Sequence, residues 1–146
     1  GDGGLMSVAP AAAAALTFTW LGMVLAISFL EAPLKFRAPG VTLQIGLGIG
    51  RLVFRALNRA EMLCAVGILA ALTLSRPSIG VGATLAVAVV ALAAQLLVVR
   101  PRLTRRSNAV LAGEHGSRSR AHYVYVSLEV VKAIALAVGG ILLRAN

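Results

Sequence analysis

Twenty-one consecutive residues, Ile79 to Val99, carry no charged side chain. At about 1.5 Å per residue, a helix of that length crosses a hydrocarbon core of about 30 Å. In lipid every backbone N–H and C=O must find its partner inside the segment, so the segment has to be a helix. Three further apolar segments accompany it: about Ala11 to Leu34, Glu61 to Ser75, and Ala121 to Leu143. Of the 146 residues, 59% are hydrophobic and 13% are charged, about half the charge of an ordinary soluble domain. The expected fold class is an all-α integral membrane protein, a single domain of four transmembrane helices over residues 1–146.

The second segment is too short as it stands. Fourteen apolar residues, Met62 to Ser75, rise only about 21 Å. The helix must start earlier, near Leu52, and carry Arg55, Asn58, Arg59 and Glu61 toward one leaflet. Arg51, Arg55 and Asn58 share a face at i, i+4 and i+7. Arginines so placed reach lipid phosphates or line a polar entrance.

Counting Lys and Arg orients the chain. The loop after helix one holds five (Lys35, Arg37, Arg51, Arg55, Arg59), and the loop after helix three holds six between Arg100 and Arg120. The opposite side holds two, Arg76 and Arg144. The positive-inside rule then puts both long loops in the cytoplasm and both termini outside, in a bacterial-type plasma membrane. Gly1 to Ala15 has no Lys or Arg, so it lacks the basic region of a signal peptide. Met6 reads as a native start preceded by added residues. The net charge of +9 has its partner in an anionic inner leaflet. Nucleic acid is excluded as a partner, because no aromatics interleave the arginines as a stacking platform requires.

Between helices one and two, Ala38 to Gly50 is rich in glycine, with Gly46, Gly48 and Gly50 alternating. No Lys-Ser or Lys-Thr follows and no strand precedes, so it is not a phosphate loop. It reads as an interfacial, amphipathic connector. Arg76-Pro77-Ser78 reads as the turn between helices two and three. In the last loop, a short helix is expected from Ser107 to Ala112, closed by Gly113.

The fourth segment contains two charges, Glu129 and Lys132. Lys132 lies about 16 Å into its helix, near the midplane. A charge there costs about 2.5–3.5 kcal/mol and faces the bundle interior, pairs, or is neutralised. Glu129 and Lys132 stand at i, i+3 and can pair. Glu31 and Lys35 repeat the arrangement at i, i+4 around Pro33. Glu31, Glu61 and Glu129, with Asn58, His122, Tyr123 and Tyr125, fall in the same half of the membrane, and Ser28 and Ser127 are within reach of joining them. Such a group makes either a polar pocket for a proton or cation, or a salt-bridge network that pins the helices.

No cofactor is expected. The chain has only His115, His122 and Cys64 as nitrogen or sulfur donors, which do not make a zinc or haem site. His122 is comfortable at the interface beside Tyr123 and Tyr125. Cys64 reads as a small buried hydrophobe.

Two stretches, WLGMVLAISFLEAPLKF and IGRLVFRALNRAEM, resemble small bacterial four-helix (tetraspan) membrane proteins of unknown function. An acid before a proline at the end of helix one is also similar to anthrone-oxygenase-like membrane proteins. That similarity implies a cofactor-free oxygenase and transfers no catalytic residue. Three functions follow as expectations. The first is a proton-coupled or cation-binding transporter or channel-like homo-oligomer using Glu31, Glu129, Lys132, Glu61, Asn58, His122 and Arg55. The second is an accessory protein whose ion pairs only assemble helices. The third is an enzyme acting on a lipid or quinone-like molecule with Glu31, Glu129 and His122 as acid–base groups.

Overall fold

The computed structural model describes the backbone of residues 2–111 and 120–145, and the side chains of residues 8–105, 108 and 123–145. Among these residues the chain is helical throughout its length apart from two short turns. Helix α1 (Asp2–Val24) widens into a π-helical turn at Leu25–Glu31 and ends through Ala32–Leu34 and a 3₁₀ turn at Lys35–Arg37. The widening has a local cause. Pro33 has no N–H, and its ring collides with the carbonyl four residues back, so the preceding turn opens.

Helix α2 (Leu43–Ser75) starts at Thr42, whose Oγ1 accepts from the Ile45 N–H at 3.2 Å. It ends at Arg76, a left-handed residue with φ 47° whose N–H returns to the Leu72 carbonyl. Ser78 caps α3 (Ile79–Ala94) by accepting from the Val81 N–H. The chain then continues without a break through a π turn at Gln95–Val99 into α4 (Arg100–Leu111), and α5 (Arg120–Ala145) completes the chain.

Two expected boundaries move. Helix α2 begins at Leu43 and not near Leu52, so the expected interfacial connector shrinks to residues 38–42. Gly40 takes a left-handed φ of 82° in the turn, whereas Gly46, Gly48 and Gly50 are helical, and Gly46 lies against the Phe36 ring, where a Cβ would overlap it. The expected short helix near Ser107 becomes the end of α4; Ala112 and Gly113 lie outside the described residues. The expected Arg76-Pro77-Ser78 turn is present.

Four helical stretches are long and apolar enough to cross a membrane: Val8–Arg37, Leu43–Ser75, Ile79–Arg105 and Tyr123–Ala145. The protein is therefore an all-α, four-helix, multi-pass membrane protein. Helix α1 packs on α2 and α5, and α5 packs on α3. Helices α2 and α3, although joined by a three-residue turn, are scarcely in contact. Residues of both nevertheless share one buried apolar cluster, Cys64, Ala65 and Ile68 with Val81, Leu85 and Ala88. Trp20, Val24, Ile68, Leu85, Leu92 and Leu136 form the centre of the apolar core.

Small residues set the closest approach of α5 to its neighbours, as is usual in lipid. A Cβ on Gly139 would lie 2.8 Å from Leu85 Cδ2 and 3.1 Å from Thr84 Oγ1 on α3. Leu85 is itself buried and has no room to yield. Gly139→Val is expected to cost about 1–3 kcal/mol by overpacking, read as a lower melting temperature in detergent. Gly82→Ala, where a Cβ meets nothing within 4 Å, is expected to leave melting unchanged or raise it.

Candidate functional site: a buried carboxylate–lysine cluster beneath a cavity

Lys132 lies on α5 with no exposure at all. An ammonium in that position must use all three of its N–H donors. It does: Nζ pairs with Glu129 Oε1 at 2.6 Å, with Glu61 Oε2 on α2, and donates to Gln95 Oε1 at 2.8 Å. Helices α2 and α5 make little backbone contact, so the Glu61–Lys132 pair is a side-chain bridge through the bundle interior.

Both carboxylates are held further. Glu129 Oε1 accepts from Gln95 Nε2 at 3.1 Å, and Glu129 Oε2 accepts from the Ser28 hydroxyl on the widened turn. Glu61 Oε2 accepts from Trp20 Nε1 at 2.7 Å, while its Oε1 is buried with no partner among the described residues. Each of the four spans contributes at least one member. The charges do not balance. Two carboxylates face one ammonium, so the fully ionised cluster would hold one net negative charge away from water. One added proton would make it neutral.

Above the cluster, toward the basic end, lies a cavity of about 240 Å³. Its floor is Glu129 and Ser28, its walls include Phe29, Phe36 and Phe54, and Lys35, Arg51 and Arg100 line it with positive charge. Arg100 stacks over two rings, 4.9 Å from the centroid of Tyr125 and 5.4 Å from that of Phe54, and donates to Tyr125 Oη at 3.0 Å. The Phe54 and Tyr125 rings meet edge to face at 6.0 Å. This packing fixes the guanidinium without neutralising it.

A second hollow of about 300 Å³ opens between α2 and the α3–α4 rod. Arg51, Arg55, Asn58 and Arg59 line it from α2, and Leu96, Arg100 and Thr104 from the opposite side. Asn58 is buried and its Oδ1 has no partner among the described residues. Arg51, Arg100 and Thr104 line both hollows, so the two adjoin.

The expected site residues therefore separate. Glu61, Glu129 and Lys132 come together, and Ser28 joins them. Glu31 does not; it pairs with Lys35 at 3.9 Å near the cavity rim. Ser127 turns back to the Tyr123 carbonyl at 2.9 Å and is exposed. Arg55 and Asn58 belong to the second hollow. The side chain of His122 lies outside the described residues. Trp20, Gln95 and Arg100 were not anticipated. Gln95 carried a usable signal, as the one amide in the charge-free run from Ile79 to Val99. Among the described residues no three His, Cys, Asp or Glu side chains gather as metal ligands would. No protein-family model, no curated protein and no solved structure matches the chain.

Proposed function

We propose that the protein is a small proton-coupled transporter whose exchangeable proton resides on the Glu61–Lys132–Glu129 cluster. The observation that carries this reading is the pairing of two buried carboxylates with a single lysine, one of the two forming the floor of a cavity. Glu129 is the carboxylate a proton reaches from the cavity. Glu61, fully enclosed with one oxygen unpaired, is the carboxylate that holds it. A cation as cargo is the weaker form of this idea, because Lys35, Arg51 and Arg100 line the cavity. With the basic loops in the cytoplasm, the cavity opens inward. Four helices rarely enclose a whole pathway, so the working unit is expected to be a homo-oligomer.

The competing reading is purely structural, and one observation favours it: the lysine's three donors are all used within the protein. The two are separated by reconstitution into liposomes containing a pH-sensitive dye. The transport reading expects proton movement in the parent and its loss in Glu129→Gln. Equal rates in both proteins would overturn it.

A further inference from the structure

Four arginines surround the hollow between α2 and the α3–α4 rod, and among the described residues they have no counter-charge. Arg51, Arg55 and Arg59 recur at i, i+4 and i+8 along α2, and Arg100 faces them. The described carboxylates are engaged elsewhere: Glu31 with Lys35, Glu61 and Glu129 with Lys132. Arg55 and Arg59 are exposed while Arg51 and Arg100 are half-buried, so the inner end of the hollow is where an anion is most favoured, and planar guanidinium forks match phosphate oxygens best. The buried, unpartnered oxygens and nitrogens point the same way: Asn58 Oδ1 lacks a donor and Arg100 Nε lacks an acceptor among the described residues.

The second observation is the route. The hollow lies between α2 and the stretch from the π turn into α4, at the basic end of the bundle. Its apolar members are Met62 and Leu96, and it adjoins the aromatic cavity at Arg51 and Arg100. A head group moving along the arginines arrives above Glu129, with Phe29, Phe36 and Phe54 ready for an apolar chain. Resting on the transport reading above, we infer that the cargo is a phosphate-headed amphiphile drawn sideways from the adjacent leaflet through the hollow between α2 and the α3–α4 rod. Coupling to the proton follows from charge. A proton on Glu129 leaves the Lys132 charge less compensated, so the cluster attracts an anion more strongly. By reciprocity the bound anion favours the proton.

The test uses the full-length protein in phosphatidylcholine nanodiscs, with decyl phosphate as the probe. Binding is read by calorimetry and by the emission of Trp20, the one tryptophan in the chain, which donates to Glu61 within the cluster. Decyl phosphate is expected to bind at least tenfold tighter than decyltrimethylammonium. Arg51→Gln and Arg100→Gln are each expected to weaken it tenfold or more. Arg37→Gln removes the same charge from outside both hollows and is expected to change binding less than twofold. Equal affinity for the cationic amphiphile, or equal losses in all three arginine variants, would overturn the inference. Inorganic phosphate binding as tightly as decyl phosphate would also overturn it, since the cargo would then be a soluble anion needing no lateral path. Binding needs no gradient, so the two ideas fail separately. Arginine-dependent binding with unaltered proton flux in Glu129→Gln would sink proton coupling alone.

Discussion

Replacing Lys132 with methionine is expected to destabilise the protein by about 3–5 kcal/mol, the usual cost of removing one partner from a buried ion pair. The change leaves Glu61 and Glu129 without their common cation and strips Gln95 Oε1 of its donor, all in positions with almost no exposure. Glu61→Gln is expected to be far milder. If Glu61 already carries the proton, its amide analogue keeps the shape, accepts from Trp20 and Lys132, and leaves Lys132 paired with Glu129. Adding Glu129→Gln to Lys132→Met is expected to recover part of the loss, because it removes the carboxylate charge left without its cation, whereas adding Glu61→Gln instead recovers little. Thermal unfolding in detergent, followed by the folded fraction on size exclusion, measures all four. A Lys132→Met protein that melts with the parent would show that the cluster does not hold the bundle together.

How far the sequence reaches is clearest at this cluster. The four spans follow from hydrophobic length, and the Glu129–Lys132 pair follows from i, i+3 spacing on one helix. Both are local signals. The Glu61 partnership is not local, since α2 and α5 meet through side chains with little backbone contact. Trp20 and Gln95 join for the same reason: each is an isolated polar donor whose partner lies on another helix. Glu31 misleads for a different reason. The π turn at Leu25–Glu31 changes the angular step per residue, so Ser28 reaches Glu129 while Glu31 turns to Lys35. The early start of α2 was hidden by its glycines, which read as a loop by propensity. Gly46 is there because the Phe36 ring leaves no room for a Cβ.

Replacing Glu129 with glutamine is expected to slow proton flux by about 100-fold or more, the scale on which a positioned acid–base group contributes to proton transfer. The expected loss is functional and not structural. Two carboxylates around one ammonium become one, so the charges of Glu61 and Lys132 balance when Glu61 ionises. The new amide oxygen can still accept from Lys132, and the amide NH2 can donate to the Ser28 hydroxyl oxygen, so the cavity keeps its floor. What disappears is the one titratable carboxyl between the cavity and Glu61. Melting close to that of the parent, together with flux that has lost its response to pH, is the expected pair of results. The Asp variant at the same position keeps the carboxyl but retracts it by one methylene, about 1.5 Å. It is expected to restore pH dependence at a reduced rate. A purely structural carboxylate predicts the reverse order, with the amide tolerated in flux and the shortened side chain no better than it. Dye-loaded liposomes at several external pH values, run beside thermal melts of the same preparations, distinguish the two outcomes.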